Sequence, residues 1–147
     1  MDSIVIYTDG GCSGNPGPGG WAFVYHDGAE ELVGSGGEAA TTNNRMELRA
    51  VIEALGLAER KAPGAAVVLY TDSQYVKNGI TTWIASWKRN GWRTADRKPV
   101  KNRELWEELD KVVARVKPRF SWVKGHAGHE GNERCDQMVQ AEIRKFM

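Results

Sequence analysis

The period of the hydrophobic residues changes along this chain, and that change constrains the fold more than any other feature. Apolar and polar residues alternate, as in half-buried strands, over residues 4–9, 21–26 and, more weakly, 32–36. Turn-forming clusters of Gly, Pro and Asn separate these runs, and ten of the 17 glycines lie at or before Gly37. This order predicts a three-stranded antiparallel meander.

From residue 44 to residue 60 the apolar residues recur at helical spacing instead. Residues 65–72 then form a short, almost continuously apolar run, which is typical of a buried strand after a helical crossover. The same patterns predict helices at residues 82–90 and 103–116 and a strand at residues 120–124. We expect Asn132 to cap a last helix. The sequence therefore predicts an α/β protein with a five-stranded mixed sheet flanked by helices.

Length and charge indicate one domain over residues 1–147. A chain of 147 residues buries enough surface for a single core and too little for two, and its net charge is only +1. It has no secretory leader pattern and no apolar stretch long enough to span a membrane. Cys12 and Cys135 lie far apart and form no CxxC pair. We expect a cytoplasmic monomer without membrane contact.

Four carboxylates occupy positions that lean toward buried faces. Asp9 and Asp72 end strands, while Glu47 and Asp136 share helical stripes with apolar residues. Singly, such acids are usually turn caps or solvated edge residues. Together they would repel one another unless a cation neutralised them, and hard oxygen ligands suit Mg²⁺ or Mn²⁺. The set predicts a divalent-metal site, and two ions there could activate a water against a phosphodiester.

The loop at residues 125–131 contains two histidines, which admit a second metal hypothesis. His126, His129 and Cys135 could bind zinc, but no fourth ligand lies nearby in sequence, and a structural zinc site normally has four. We favour His126 as a group that transfers protons, because histidine titrates near neutral pH. His129 fits a hydrogen-bonding residue of the loop.

Residues 83–103 form a basic, aromatic segment. It contains seven basic residues, one acid and three of the six tryptophans. Cations neutralise phosphates and indoles stack on sugars or bases, although tryptophans packed into the core below a solvated basic face would give the same pattern. The predicted nucleic-acid contacts here are Trp83, Trp87, Lys88, Arg89, Trp92, Arg93 and Lys98. The glycine-rich loop at residues 10–20 is not a nucleotide P-loop, since it lacks GK[ST] and joins two strands.

Seven motifs give the chain a resemblance to a known family. They are YTDG at 7–10, GNPGPGG at 14–20, TTNNRMEL at 41–48, TDSQYV at 71–76, GWRTADRKPVKN at 91–102, WVKGHAGH at 122–129 and NERCD at 132–136. Over nearly its whole length the chain resembles the type 1 ribonucleases H of bacteria. That resemblance implies a ribonuclease H-like fold with a basic helix-loop handle.

The resemblance also implies an activity. It implies endonucleolytic cleavage of the RNA strand of RNA–DNA hybrids, leaving 5′-phosphate and 3′-hydroxyl ends. The family's metal-binding and catalytic acids fall on Asp9, Glu47, Asp72 and Asp136, which implies two Mg²⁺ ions, with Mn²⁺ as a possible substitute and Asp9 bridging both. The family's mobile-loop histidine falls on His126.

Further positions match residues that contact the hybrid in the family. Asn15, Asn43, Asn44 and Gln74 match contacts to the minor groove, where 2′-hydroxyls distinguish RNA from DNA. Thr42 and Asn43 fall near contacts to DNA phosphates, and Cys12 is counted with the substrate-binding set. Two rivals stay open: a catalytically silent hybrid-binding module, and another nuclease or strand-transferase of the same fold. The complete acid set with His126 disfavours the first, and the handle and asparagines disfavour the second.

Overall fold

The structure is a computed structural model that describes residues 3–123 and 130–147. The strands are β1 (Ile4–Cys12), β2 (Gly17–His26), β3 (Glu31–Thr41), β4 (Val67–Thr71) and β5 (Arg119–Trp122). The helices are α1 (Asn43–Lys61), α2 (Gln74–Asn78), α3 (Ile84–Arg89), α4 (Arg103–Val116) and α5 (Glu130–Arg144), with a π-helical turn (Gly79–Trp83) joining α2 to α3. The strands form one sheet in the order β3-β2-β1-β4-β5.

The sheet is mixed, as predicted. β1 pairs antiparallel with β2, and β2 pairs antiparallel with β3. On its other side β1 pairs in parallel with β4, and β4 pairs in parallel with β5. Because the helix α1 separates β3 from β4 in the chain, the parallel half of the sheet is built through a helical crossover.

All three strands of the meander extend further than the alternation predicts, because glycines continue them. Gly34 lies against the ring of Phe23, and a Cβ on Gly36 would lie 2.7 Å from the ring of Trp21. Glycine at these positions makes room for aromatic rings on the neighbouring strand and does not end β3. The pattern could not distinguish this use of glycine from a turn.

Helices cover both faces of the sheet. α1 and α4 lie on one face, where residues such as Leu48, Leu55 and Leu109 are fully buried. α5 lies on the other face and packs Cys135 and Val139 against β2. The prediction for α1 is confirmed to within one residue at each end, and the prediction for α4 is confirmed at both ends.

Two predicted helix starts are wrong. The helix expected from residue 82 begins at Gln74 and runs through the π-helical turn, since Gly79 lets the helix lie directly against the buried indole of Trp106. Asn132 does not cap the last helix, because α5 already includes Glu130 and Asn132 is fully buried within it. No helix in the described ranges has the length and apolar character that crossing a membrane requires.

Candidate active site

Parallel pairing of β1 with β4 places two of the predicted acids side by side. Tyr7 on β1 is level with Tyr70 on β4, and their rings stack with centroids 5.0 Å apart. Asp9 and Asp72 each follow these tyrosines by two residues, so they point to the same face of the sheet. This is the face on which α5 lies.

Glu47 reaches the same point from α1, which lies on the opposite face. Its approach depends on Gly10, the residue after Asp9. A Cβ on Gly10 would lie 2.5 Å from the amide nitrogen of Glu47 and 2.6 Å from the carbonyl oxygen of Met46. Only a glycine allows the backbone of α1 to pass this close to β1. The contact brings Glu47 to the two aspartates, just beyond the last paired residues of β1 and β4.

The three carboxylates form a compact cluster. One carboxylate oxygen from each of Asp9, Glu47 and Asp72 lies within 4.8 Å of the other two. At that separation each ionised pair repels by roughly 1 to 3 kcal/mol, for effective dielectric constants from that of water down to about 20. Asp9 is only 5% exposed. This repulsion therefore favours binding of a cation or a proton by the cluster.

The pKa of Glu47 reflects this environment. Although the residue as a whole is half-buried, burial of its carboxyl group is the largest cause that raises its pKa well above the usual 4.5. The negative charges of Asp9 and Asp72 raise the pKa further, and a hydrogen bond with the side chain of Ser73 lowers it. In the absence of a cation, burial and the two aspartates therefore disfavour the ionised form of Glu47. A divalent ion would reverse that preference, because it binds the ionised carboxylate.

The fourth predicted acid, Asp136, lies on α5 and is half-buried. It is not part of the cluster within 4.8 Å. Its neighbour Cys135 is fully buried, and the Cys135 thiol donates a hydrogen bond to the carbonyl of Tyr7 (3.4 Å). α5 thus approaches β1 two residues before Asp9, and a role for Asp136 at the metal site stays a prediction.

The zinc hypothesis gains no support at Cys135, because its thiol is fully buried and is already bonded to the carbonyl of Tyr7. Burial, followed by the charge of Asp9, raises the pKa of this thiol to about 12. His126 and His129, the other members of that hypothesis, lie outside the described residues. The predicted role of His126 in proton transfer therefore stays a prediction as well.

Several predicted substrate contacts lie at the end of β1, in the loop that follows it and at the start of α1. Asn15 accepts a hydrogen bond through Oδ1 from the backbone N–H of Asn43 (3.1 Å), so the loop after β1 is joined to the start of α1. Thr42 caps α1 by accepting from the N–H of Arg45 (3.3 Å). The Cys12 thiol, by contrast, points inward and donates to the carbonyls of Gly17 and Thr41 at 3.2 and 3.3 Å.

All four of these asparagine and glutamine residues are exposed: Asn15, Asn43, Asn44 and Gln74. Gln74 is the first residue of α2, two residues after Asp72. An exposed amide both donates and accepts hydrogen bonds. The edge next to the acids therefore offers the groups that could bind sugar hydroxyls.

The handle, residues 83–103, shows both features that its sequence suggested: tryptophans packed on the core and a surface that could contact nucleic acid. The tryptophans Trp83, Trp87 and Trp92 are half-buried and pack in series on the core, with ring centroids 5.8 and 6.2 Å apart. A cavity of about 620 Å³ opens between α3 and the loop that follows it. Its lining includes Trp83 and Trp87 as well as the cations Arg93 and Lys98. The handle thus offers indole surface and positive charge together.

Two handle cations are already paired: Lys88 lies 3.1 Å from Asp110 of α4, and Arg103 pairs with Glu107. The cations Arg89, Arg93 and Lys98 are exposed. The Lys88–Asp110 pair is solvent-accessible, so its attraction is screened by salt. Asp110 therefore competes with any phosphate for Lys88.

Three residues of this region were not found from the sequence. They are Gly10, whose lack of a side chain seats α1 against β1, Ser73, whose side chain bonds to Glu47, and Tyr75, which joins the handle to the acid-bearing segments. Each acts through a three-dimensional contact, and none disturbs the hydrophobic period. The only available signal was position, since each lies within three residues of a predicted acid.

A mixed sheet in this order, with acids where β1 leaves β4, defines the class of proteins with a ribonuclease H fold. Solved structures agree. LC9-RNase H1, a type 1 RNase H with the type 2 active-site motif, superposes with a TM-score of 0.87 at 32% identity, covering 100% of this chain and 74% of that one. LC11-RNase H1 in complex with an RNA/DNA hybrid superposes with a TM-score of 0.73 at 27% identity, covering 97% of both chains.

Sequence comparison places the chain within a family. Residues 1–144 match the family described as RNase H. The chain is 57% identical over 145 residues to the Ribonuclease H of Rhodopseudomonas palustris (strain BisB5), covering 99% of this chain and 95% of that protein. It is also 57% identical over 149 residues to the Ribonuclease H of Paracidovorax citrulli (strain AAC00-1), covering 100% and 98%. The chain belongs to the ribonuclease H family and is a nuclease of that family.

Proposed function

We propose that this chain hydrolyses the RNA strand of RNA–DNA hybrids at a divalent-metal site built on Asp9, Glu47 and Asp72. The observation that carries the proposal is the cluster of three carboxylates within 4.8 Å, in which the pKa of Glu47 is raised. A protein that only bound hybrids would not need this cluster of carboxylates, because the cluster destabilises the fold unless a cation is bound.

The donor set fits Mg²⁺. All three ligands are hard carboxylate oxygens from three different segments of the chain. We place Asp136 with them as the fourth ligand, which would give enough carboxylates for two ions with Asp9 between them. Bound metal of this kind activates a water and stabilises the oxygen that leaves phosphorus.

The bond changes follow from hydrolysis of a phosphodiester. The oxygen of a water forms a bond to phosphorus, and the bond from phosphorus to the 3′ oxygen breaks. The products are a 5′-phosphate and a 3′-hydroxyl. We assign the transfer of a proton during this exchange to His126, since imidazole both accepts and donates near neutral pH.

Two sets of exposed residues support the hybrid as the substrate. The exposed amides of Asn15, Asn44 and Gln74 suit the minor groove, where only RNA presents 2′-hydroxyls. The exposed cations of the handle suit phosphates in any sequence. The solved complex of LC11-RNase H1 with an RNA/DNA hybrid, a relative at 27% identity, supports the same substrate. One chain supplies every group named here, so we propose that the protein acts as a monomer. We also propose a cytoplasmic location.

The decisive experiment offers one labelled sequence in three forms: RNA–DNA hybrid, RNA duplex and DNA duplex. Each is incubated with Mg²⁺, with Mn²⁺ or with a chelator, and the ends of the products are mapped. We expect cleavage of the RNA strand of the hybrid alone, with 5′-phosphate ends, and no cleavage with chelator. Cleavage of either duplex, or cleavage that survives the chelator, would contradict the proposal.

The variant Asp9→Asn separates an enzyme from a silent binder. It should abolish cleavage and leave binding of the hybrid nearly unchanged, because it removes a metal ligand without touching the handle. Asp27→Asn is the matched control, since Asp27 lies in an exposed turn where its Oδ1 accepts from two backbone N–H groups and an asparagine oxygen can do the same. Metal-dependent turnover by Asp9→Asn at the parent rate would refute the metal assignment.

A further inference from the structure

The side chain of Tyr75 lies where the metal-binding segments and the handle meet. Tyr75 is the second residue of α2 and follows Asp72 by three residues. Its hydroxyl oxygen accepts a hydrogen bond from Nε1 of Trp106 (2.9 Å) and another from Nδ2 of Asn102 (3.1 Å). One hydroxyl therefore joins α2 to the start of α4.

Asn102 extends this network to the helix that carries Glu47. Its Oδ1 accepts a hydrogen bond from Nη1 of Arg45 (3.1 Å), and Arg45 precedes Glu47 by two residues on α1. Asn102 holds a left-handed backbone conformation (φ 60°), which asparagine tolerates better than most residues. Its side chain is thus fixed between Arg45 and Tyr75, at the base of the handle.

The ring of Tyr75 makes the contact with the handle itself. It meets Trp83 edge-on with centroids 5.7 Å apart, and it packs on Trp106 at 5.1 Å. Trp83 in turn packs on Trp87. Trp106 is fully buried, so the hydroxyl of Tyr75 is bonded to a group that cannot move without disturbing the core.

We propose that Tyr75 is a positioning residue that holds the handle at a fixed place relative to the carboxylate cluster. The inference rests on the proposed function, because its consequence is the alignment of a hybrid held by the handle. A substrate bound at both places is cut efficiently only if the two are in register. Loss of the link should lower the rate of turnover on long hybrids and leave their binding intact.

The test variant is Tyr75→Phe, which removes the hydroxyl and keeps the ring contacts. Its kcat and KM are measured on a long hybrid and on a short one, whose length is chosen so that Arg93→Ala no longer changes KM. On the long hybrid kcat should fall between about tenfold and a hundredfold, with KM within about twofold of the parent. On the short hybrid kcat should be that of the parent.

Tyr25→Phe is the matched control. Tyr25 is fully buried in β2, and its hydroxyl has no hydrogen-bond partner within residues 3–123 and 130–147. Removing that hydroxyl should leave kcat unchanged on both hybrids. The control shows whether loss of any buried tyrosine hydroxyl is enough to slow the enzyme.

A second variant, Asn102→Gly, tests the link from the other side and decides the matter if Tyr75→Phe does not fold. It keeps the left-handed backbone of Asn102 and removes the amide that donates to Tyr75 and accepts from Arg45. It should show the same loss of kcat on the long hybrid, and the losses of the two variants should not multiply when combined. An unchanged kcat on the long hybrid, or an equal fall on both lengths, overturns the proposal. If the parent protein cuts neither hybrid, the proposed function has failed instead.

Discussion

Gly10→Ala tests whether the contact between α1 and β1 assembles the metal site. The added Cβ would lie 2.5 Å from the amide nitrogen of Glu47 and 2.6 Å from the carbonyl oxygen of Met46. Both atoms belong to the backbone of a 19-residue helix, so no side-chain rotation can relieve the overlap. The helix itself must move, and it must carry Glu47 with it.

The size of the effect follows from these distances. The nearest backbone atom, the carbonyl carbon of Met46, would lie 2.4 Å from the Cβ, and ordinary contacts begin at 3.4 Å, so the backbone of α1 has to retreat by about 1.0 Å. A misplacement of about 1 Å costs roughly a hundredfold in rate. Overpacking of this kind also costs about 1 to 3 kcal/mol, which for a chain of this length lowers Tm by roughly 2 to 10 °C.

The assay compares hybrid cleavage, the Mg²⁺ concentration that gives half-maximal rate, and Tm for the parent and the variant. We expect Gly10→Ala to need more Mg²⁺ and to cut about a hundredfold more slowly at a temperature where it is fully folded. Gly11→Ala is the control, since its Cβ would lie 3.3 Å from Cγ1 of Val139, a side chain that can give way. Equal rates for the two variants would refute the steric argument.

Other outcomes follow from the charges of the site and the handle. Because the pKa of Glu47 is raised in the folded protein, the metal-free protein should lose stability as the pH rises above 4.5, where Glu47 ionises in the unfolded chain but not yet in the folded one. Glu47→Gln should remove that loss when Tm is followed from pH 5 to 8 in chelator. His126→Ala should slow turnover by roughly a hundredfold and leave residual activity, so complete inactivation would contradict a role in proton transfer. A quadruple alanine variant should raise KM and reduce the salt dependence of log K by about 0.9 for each lost phosphate contact, whereas an unchanged slope would mean a solvated face only. Its four sites are Lys88, Arg89, Arg93 and Lys98. Asp110→Asn should lower KM at low salt, because it frees Lys88, and the gain should vanish at high salt.

Much of the fold could be predicted because its strands and helices differ in period. The change from alternation to helical spacing near residue 44 located α1 to within one residue. The start of the helix that leads into the handle was predicted too late. A π-helical turn from Gly79 interrupts its hydrophobic period, and Gly79 is needed there because it lies against Trp106. Packing of this kind leaves no periodic trace in a sequence.

The acids of the site were predicted for a similar reason. A carboxylate on a buried face departs from the pattern, and Asp9, Glu47 and Asp72 do lie together. Asp9 does not end its strand as predicted, because Gly10 and Gly11 continue β1 to Cys12. Asp136 departs from the pattern too, yet it lies outside the cluster, since the period gives the face of a helix and not its distance from a strand end. Gly10 and Tyr75 could not be predicted, because their roles are contacts between segments far apart in the sequence.

The central position of β1 has a consequence for the order in which the protein folds. Its pairing with β2 needs only a short turn, whereas its pairing with β4 closes a loop of some 60 residues, counted from Ile4 to Val67, at a higher cost in chain entropy. We therefore expect Asp9 and Asp72 to meet late in folding, where their repulsion would oppose completion of the sheet. Millimolar divalent cation should accordingly speed the last phase of refolding, since it would remove that repulsion as the carboxylates converge.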